Sequence, residues 1–435
     1  MAASGETATG WFPVARAADV GTTPVPVGAG GRAYVVVRLR PGGEVSAFPA
    51  RCPHRLVPLA AATVTGGRLQ CPYHGWRFDG EGRCASIPSL GDDGTPPPRA
   101  DLAMPWAVDE RHGWIWLAPD RTAVATPPRP SAGTAAEPAP PPPQPRGPVF
   151  GNLEPALEHA WHPVALSGEL RAGGWLQVRL LGRTWLLRRT AEGLQAEPPA
   201  FGVRERLGVI WLAPAEPQDV PLDVPEDGDR RFVSTWLPPA RSPGPAGPLA
   251  DTFLDVAHAP FVHSRIGGRP DDAEVPPFEV TPEDGGFRAA LERPYETPHH
   301  PDGIDGPPVR RRATYTYRAP FQLRLRLDSP ATGAVTTVLC LLQPEDADST
   351  RVYTRMLLSA GPGARLPWPD DVAREVAIQR HVLAEDLAVQ ALLPDTGLPL
   401  DLRDELHVRS DRLGVALRQA LGDFAATLPR LRGVA

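Results

Sequence analysis

Two short segments near the N-terminus carry thiol and imidazole groups in matched pairs. Residues 52–54 read CPH, and after sixteen intervening residues, residues 71–76 read CPYHGW. Each segment presents one cysteine and one histidine within three or four residues, so one loop can give both side chains to a single cofactor. A [2Fe–2S] cluster with two thiolates on one iron and two imidazoles on the other needs this set of donors. The predicted ligands are Cys52, His54, Cys71 and His74.

Zinc is the rival for these donors, because two cysteines and two histidines also form structural zinc sites. Zinc sites, however, usually pair Cys with Cys and His with His along the chain, whereas both pairs here are mixed. The mixed pairs, in a strand-rich segment, favour the cluster. The chain has only four cysteines, too few for a disulfide framework. Cys84 and Cys340 have no partner motif and are expected to be ordinary structural residues.

A second group of donors lies in residues 251–263, which read DTFLDVAHAPFVH. On a continuous helix, His258 and His263 would sit about 140° apart and could not share a site. Pro260 is expected to end or kink a helix that runs through Asp255 to His258, so that His263 can swing back. Two imidazoles and one carboxylate make the facial triad of non-heme Fe(II) oxygenases, which leaves coordination positions open for O₂.

The carboxylate of this triad is predicted to be Asp386, on a helix over residues 370–393. Residues three and four positions away, such as Val382 and Val389, place Asp386 on an apolar stripe. A carboxylate there is costly unless it meets a cation or a metal. Glu385 is the second choice, and the bland alternative is that the acid faces solvent.

Asp255 has two interpretations from its position. Thr252-x-x-Asp255 fits a capping box, in which Asp255 only caps a helix. Asp255 also precedes His258 by one helical turn, so it could hold the second nitrogen of that imidazole.

Together these motifs resemble the Rieske non-heme iron oxygenases. CPHR followed by CPYHGW is similar to the Rieske domain, and the pattern D-x-x-H-x-x-x-x-H at 255–263 is similar to the segment with both iron histidines. The resemblance implies mononuclear Fe(II) on His258, His263 and Asp386, with Asp255 bridging to a cluster histidine of the neighbouring subunit. Two positions depart from the family: Leu56 usually is Gly, and Thr252 often is Asn. Residues 407–413 resemble the family's closing helix.

The chain is predicted to be a multidomain α+β protein, with prolines marking the seams between its domains. Residues 8–120 form an all-β Rieske domain, 121–150 a Pro/Ala-rich linker, and 230–435 a helix-grip (START-like) α+β catalytic domain. WFPVA at 11–15 recurs as WHPVA at 161–165, and WIWLAP at 114–119 recurs as VIWLAP at 209–214. Residues 151–229 are therefore expected to be a degenerate Rieske-like β-domain without ligand loops. In the last domain, strands are predicted over 313–317, 322–327, 335–342 and 351–358, and helices over 370–393 and 403–428.

The composition excludes some classes of function. The net charge is −6, and the 45 basic residues, all Arg, are scattered, which argues against a nucleic-acid partner. The absence of Lys indicates the codon bias of a GC-rich bacterial genome. The first ten residues show no secretory signal, and no apolar run approaches the ~18 residues of a membrane span. We therefore expect a cytoplasmic protein without a membrane span.

The resemblance implies an oxygenase component that hydroxylates, demethylates or desaturates a mostly apolar small molecule with O₂. Its electrons would come from a ferredoxin or flavin reductase with NAD(P)H as the ultimate donor, and the chains would form a homo-oligomer such as a trimer. One alternative is a Rieske electron-transfer protein whose C-terminal domain has lost its iron, and another is a zinc-bearing binding module. Structural or surface roles are expected for the other histidines singled out, which are His112, His159, His162, His299, His300 and His381.

Overall fold

The computed structural model describes residues 9–141, 145–263, 269–295, 309–393 and 396–427. A β-domain at the N-terminus is followed by a tethered linker, a second β-region and a C-terminal α+β region, in the predicted order. The strands of the first domain are β1 (Phe12–Arg16), β2 (Val25–Ala29), β3 (Arg32–Arg38), β4 (Val45–Pro49), β5 (Thr63–Thr65), β6 (Arg68–Gln70), β7 (Arg77–Phe78), β8 (Cys84–Ser86), β9 (Ala107–Arg111) and β10 (Trp114–Ala118).

Three antiparallel sheets make up the first domain, with strand orders β1-β10-β9, β2-β3-β4 and β5-β6-β7-β8. The β-branched run of β3 is covered on both faces, since Val35, Val36 and Val37 are all fully buried. The first cysteine–histidine pair follows β4, and the second lies between β6 and β7. The sheets thus hold both pairs at the edge of one small core.

The Pro-rich linker is tied down at two points, near its middle and at its C-terminal end. The backbone N–H of Gly28 in β2 donates to the carbonyl oxygen of Glu137 at 3.2 Å. At the far end, β11 (Val149–Phe150) pairs with β26 (Leu398–Pro399), a short strand of the C-terminal region. The described part of the linker is therefore fastened to both regions that it joins.

The second β-region repeats the strand order of the first domain. Its sheets are β12-β17-β16 and β13-β14-β15, matching β1-β10-β9 and β2-β3-β4. In both copies the first strand has a register irregularity two residues after its first pair, just before an alanine (Ala15 and Ala165). The strands are β12 (His162–Leu166), β13 (Trp175–Leu180), β14 (Arg183–Thr190), β15 (Gly193–Glu197), β16 (Gly202–Arg206) and β17 (Val209–Ala213).

The C-terminal region is a large antiparallel sheet with helices packed against it. The sheet order is β18-β25-β24-β23-β22-β21-β20, and β19 also pairs with β25. Leu254, Leu417 and Leu421 join the helices to the sheet in one hydrophobic core. The elements are β18 (Val233–Trp236), β19 (Ala240–Pro243), α1 (Ala246–Leu254), α2 (Ala259–Val262), β20 (Val280–Glu283), β21 (Gly286–Tyr295), β22 (Val309–Arg318), β23 (Gln322–Ser329), β24 (Ala334–Asp346), β25 (Ser349–Ser359), α3 (Pro369–Gln390) and α4 (Arg412–Ala426).

The four predicted strands of this region are confirmed within longer strands, but two helix predictions differ from the structure. The predicted helix over 403–428 begins only at Arg412, because the preceding segment bonds to the first domain, with the N–H of Leu406 on the carbonyl oxygen of Pro53. The helix predicted through Asp255 to His258 instead ends at Leu254, where α1 stops. The expected ends at Pro394 and Leu428 lie outside the described residues. Among the described residues, no helix has the length and apolar character needed to cross a membrane.

Candidate metal centres

Two loops of the same design carry the cysteine–histidine pairs. In each loop the cysteine carbonyl accepts the N–H of the residue four positions later, and the cysteine N–H donates to the carbonyl five positions later. The residue at the fourth position is left-handed in both loops, with φ of 55° at Leu56 and 68° at Gly75. Leu56 thus adopts a conformation that glycine takes without strain. The bonded pairs are Cys52 with Leu56 and Val57, and Cys71 with Gly75 and Trp76.

The four predicted cluster donors lie together in the buried space between these loops. The Nδ1 atoms of His54 and His74 are 3.0 Å apart. A hydrogen bond from the thiol of Cys52 lowers the pKa of Cys71. Burial lowers the pKa of His54 to about 4, so this imidazole is neutral, which is the form that binds metals.

The outer nitrogens of both histidines face carboxylates of the C-terminal region. Nε2 of His74 donates to Oδ2 of Asp255 at 2.7 Å. Nε2 of His54 donates to both oxygens of Asp411, at 3.0 and 3.1 Å. Because each Nε2 is held by a carboxylate, the two Nδ1 atoms face each other across 3.0 Å. Such an arrangement calls for a cation between them, and it therefore fits a metal cluster.

Asp411 was not predicted as a site residue. Burial alone would raise its pKa, but the hydrogen bond from His54 and the positive charge of Arg55 outweigh burial, so the pKa of Asp411 lies below its usual range. The carboxylate is therefore ionised and can hold the Nε2 proton of His54. The only sequence signal for Asp411 was its position within 407–413, a segment noted for its resemblance but not for a ligand partner.

Asp255 takes neither predicted role in its predicted form: Thr252 lies inside α1 with Asp255 at the C-cap, so no capping box forms, and Nδ1 of His258 bonds the backbone carbonyl oxygen of Asp255 and not its carboxylate. Its Oδ1 accepts the backbone N–H groups of Ala257 and His258, at 2.7 and 3.1 Å, so it caps the turn that starts α2. This local bonding competes with helix, which explains why α1 stops at Leu254. Its Oδ2 contacts His74 of the same chain. The resemblance had implied a contact with the neighbouring subunit, and the structure differs from that expectation.

The predicted iron triad also lies together. His258 and His263 flank the single turn of α2, so their Nε2 atoms meet at 3.0 Å. Oδ1 of Asp386, from α3, is 3.5 Å from Nε2 of His258 and 3.3 Å from Nε2 of His263. The three donor atoms all lie within 4.8 Å of one another. Among the described residues, this is the group of His, Cys, Asp or Glu side chains that is close enough together to hold one ion. The helix break lies before His258 rather than at Pro260, but it has the predicted effect.

The outer nitrogens of this second pair of histidines are also held. Nδ1 of His258 donates to the backbone carbonyl oxygen of Asp255 at 3.1 Å. Nδ1 of His263 donates to Oε2 of Glu385 at 2.9 Å, and the other oxygen of Glu385 lies 3.1 Å from Nε2 of His381. Glu385, the second choice for a ligand, therefore orients a ligand instead, while Asp386 points inward.

The charges at the triad fit a metal ion. Oδ1 of Asp386 is buried without a hydrogen-bond partner, although two imidazoles lie within ion-pair distance. Burial would lower the pKa of His258, yet the carboxylates of Asp255 and Asp386 beside it raise that pKa to about 10. A positive charge is thus trapped between carboxylates, where a divalent cation would satisfy the same atoms. Three donors at right angles around an ion about 2.1 Å away would be roughly 3.0 Å apart, close to the observed spacing.

A buried ion network lies beside the two centres. Arg418 binds Asp251 through two bonds of 2.9 Å each, and Arg55 lies 3.3 Å from the same carboxylate. Glu405 accepts from Arg418 at 2.5 Å. Any side chain at Gly414 would collide with Asp251, so the glycine lets α4 approach this closely. Buried charges are tolerated only when paired, and here residues from both domains pair one another.

The other histidines and cysteines expected to be structural have ordinary surroundings where the structure describes them. His162 is buried and donates to the carbonyl oxygen of Leu157 at 2.7 Å, and His159 bonds the carbonyl oxygen of Glu216 at 2.9 Å. His112 lies in a turn with φ of 56°. Cys84 and Cys340 are buried. His299 and His300 lie outside the described residues.

Comparison with known proteins finds a family match for an N-terminal and for a C-terminal part of the chain. Residues 10–98 match the Rieske [2Fe-2S] domain, and residues 245–427 match the vanillate O-demethylase oxygenase C-terminal domain. The chain therefore carries a Rieske domain together with the C-terminal domain of an oxygenase. Its cofactors are a Rieske [2Fe–2S] cluster and a mononuclear iron.

Individual relatives match over different lengths. The 4beta-methylsterol monooxygenase of Methylococcus capsulatus is 46% identical over 84 residues, which are 19% of this chain and 22% of that protein. The methylxanthine N1-demethylase NdmA of Pseudomonas putida is 41% identical over 86 residues, 20% of this chain and 23% of that protein. These alignments span less than a quarter of each relative.

Longer matches are weaker in identity. The probable methylxanthine N7-demethylase NdmC of Pseudomonas sp. (strain TJI-51) is 27% identical over 286 residues, 63% of this chain and 96% of that protein. The solved structure of NdmA with caffeine superposes with a TM-score of 0.44 and 18% identity, covering 97% of this chain and 91% of that chain.

Proposed function

We propose that this chain is a Rieske-type oxygenase component that uses O₂ and externally supplied electrons to hydroxylate, demethylate or desaturate a mostly apolar small molecule. The observation that carries the proposal is the triad of His258, His263 and Asp386, whose donor atoms lie 3.0 to 3.5 Å apart. When bound, the cluster supplies electrons one at a time and the mononuclear iron activates O₂.

The proposed ligand roles follow from which nitrogen faces inward. Cys52 and Cys71 would hold one iron of the cluster, and Nδ1 of His54 and His74 would hold the other. Nε2 of His258 and His263 with a carboxylate oxygen of Asp386 would hold the mononuclear iron. In support, the outward nitrogen of each histidine is occupied by a protein oxygen. A fixed outer partner sets the tautomer and the ring orientation of a metal-binding histidine.

Asp255 is proposed to position both centres. One carboxylate oxygen holds the Nε2 proton of His74, and the other accepts the N–H of His258, whose ring bonds the Asp255 carbonyl. One residue therefore orients a cluster ligand and an iron ligand together. Its pKa lies well below the usual range, because the charges and hydrogen bonds of His74 and His258 outweigh burial.

The substrate class and the partners are proposed from the similarity of this chain to known enzymes. The relatives NdmA and dicamba O-demethylase carry names of enzymes that demethylate methylxanthine and dicamba. The electron donor is proposed to be a ferredoxin or flavin reductase fed by NAD(P)H, which would set the reaction in the cytoplasm. A homo-oligomer such as a trimer is the proposed assembly.

The domain boundaries proposed are 8–120, 121–150, 151–229 and 230–435, with 151–229 a degenerate Rieske-like domain. Two matched contacts support the last proposal. Trp116 Nε1 donates to the carbonyl oxygen of Arg111 at 3.1 Å, and Trp211 Nε1 donates to that of Arg206 at 3.0 Å. Each copy also has a left-handed pair at the same turn: His112–Gly113 in one and Leu207–Gly208 in the other. The large sheet around the helices supports a helix-grip fold for 230–435.

Metal analysis tests the proposed function. A loaded chain should hold about three irons, two in the cluster and one mononuclear. The His258→Ala/His263→Ala variant should hold about two irons and keep the cluster's visible absorption. Two irons in the native chain would instead indicate an electron carrier, and a colourless zinc protein would contradict the cluster itself.

A further inference from the structure

The two candidate centres contact each other within a single chain. His54 and His74 bond Asp411 and Asp255 directly, at 3.0 and 2.7 Å. The hydroxyl of Thr252 donates to the carbonyl oxygen of Pro248, so it accepts the hydroxyl of Tyr73, at 2.8 Å. Thr252, which departs from the family's usual Asn, therefore also contacts the cluster loop.

We propose that each chain is a complete electron-transfer unit, in which the cluster loops serve the iron triad of their own chain. The resemblance to the oxygenase family had implied a contact between neighbouring subunits. Here the residues that would make that contact close on one another intramolecularly. The proposal rests on the proposed function and its ligand roles. It adds that the cluster ligands and the iron ligands that meet belong to the same chain.

The contact between the two domains is buried and continuous. The hydroxyls of Ser89 and Ser410 lie 3.0 Å apart and are both buried. Gly75 packs so closely against the ring of Phe261 that any Cβ there would collide with it. Arg55 of the cluster loop lies 3.5 Å from Asp411, fully inside the interface. An isolated first domain would leave this arginine and the cluster histidines without their partners, so the interface is part of the fold.

The linker explains why a chain closes on itself. It is fastened to the first domain at Glu137, and the N–H of Gly147 donates to Asp404 of the C-terminal region at 3.0 Å. Nine residues lie between these two anchors, and the ten Cα–Cα steps can span ~35 Å at most. Asp404 lies seven residues before Asp411, the partner of His54. The tether therefore keeps the first domain beside the segment of its own chain that covers the cluster.

A disulfide across the interface tests the proposal without any metal or substrate. In the variant Ser89→Cys/Ser410→Cys, mild oxidation should join the two cysteines inside one chain. Non-reducing electrophoresis should then show a single-chain band of altered mobility, and peptide mapping should find the two cysteines linked. The single variants Ser89→Cys and Ser410→Cys are the matched controls, and a mixture of the two should form no heterodimer. Covalent dimers or a ladder from the double variant would overturn the proposal.

A spectroscopic experiment covers the case in which that variant does not fold. Nitric oxide bound at the ferrous site is paramagnetic, so it should speed the spin relaxation of a reduced cluster nearby. Chains without the triad (His258→Ala/His263→Ala) are co-expressed with chains without the cluster (Cys52→Ser/Cys71→Ser). Nitric oxide should change the relaxation in native protein but not in this mixture. The same change in the mixture would show that the partner lies in another chain. A native chain without a third iron would contradict the proposed function, while the disulfide result would still be readable.

Discussion

The two candidate metal centres differ in how far along the chain their donors are spread. The cluster donors sit on two loops, residues 52–57 and 71–76, that share one hydrogen-bond plan. The iron triad combines the two ends of a single-turn helix with Asp386, and Glu385 holds His263 from 122 residues away. A centre built from local loops is specified by short motifs, whereas a centre built across the fold depends on tertiary packing. The two centres should therefore respond differently to substitution.

The largest difference between the responses of the two centres is expected from Asp386→Ala. Loss of one of three ligands should weaken mononuclear iron binding by more than ~100-fold, because even outer partners of ligands contribute ~10–100-fold. The cluster, held elsewhere, should keep its absorption and its two irons. Iron titration and visible spectra would measure both, with exposed Asp370→Ala at the start of the same helix as the control. Loss of the cluster as well would show that the two centres are not separable.

A smaller effect on the same centre is expected from Glu385→Gln. The amide can still accept a hydrogen bond from His263, but it lacks the charge that favours the Nδ1 proton. Iron affinity should fall roughly 10-fold, within the range for outer partners of metal ligands. Asp370→Asn, exposed on the same helix, is the matched control. Affinity equal to that of the native chain would mean that Glu385 does not orient the ligand.

The two carboxylates that hold the cluster histidines are expected to differ in their effect on the mononuclear iron when each is neutralised. Asp411→Asn and Asp255→Asn each remove a negative charge beside the cluster, which favours its reduced form. Each should raise the reduction potential by on the order of 60 mV, a tenfold change for one electron. Asp255→Asn should also weaken mononuclear iron binding, because Asp255 caps the turn that carries His258. Voltammetry and iron titration of both variants would decide, and equal iron affinities would contradict the positioning role of Asp255.

The smallest effect is expected within the cluster loops themselves. Leu56 occupies the left-handed position that Gly75 fills in the other loop. Leu56→Gly and Leu56→Ala lose the same side-chain packing, but only glycine relieves the backbone strain. The glycine variant should be more stable than the alanine variant by about 1 kcal/mol. Chemical denaturation of both variants would measure the difference, and a more stable alanine variant would show that the loop is not strained.

The sequence predicts the metal-binding side chains better than it predicts the structure around them. The cysteine–histidine pairs carry their spacing within a few residues, and the histidines of the triad meet as expected although the helix breaks at Asp255 and not at Pro260. The helix break was misjudged because the side chain of Asp255 competes for the backbone N–H groups that a helix would use.

The partners of the donors could not be predicted in the same way. Asp411 lies 357 residues from His54, and Arg418 lies 167 residues from Asp251. No local periodicity links residues so far apart, and a buried arginine on α4 gives the same pattern in the sequence as an exposed one. Which chain supplies Asp255 to His74 is likewise a property of the folded linker, and no short motif encodes it.

The long separation of His54 from Asp411 has a consequence for biogenesis. His54 leaves the ribosome 357 residues before Asp411, the acid that later covers it. Because domains fold in order during synthesis, the sheets that hold the loops can form while their open side still faces solvent. Scaffold proteins that deliver iron and sulfide would have access during that interval, and arrival of the C-terminal segment would then close the cluster in.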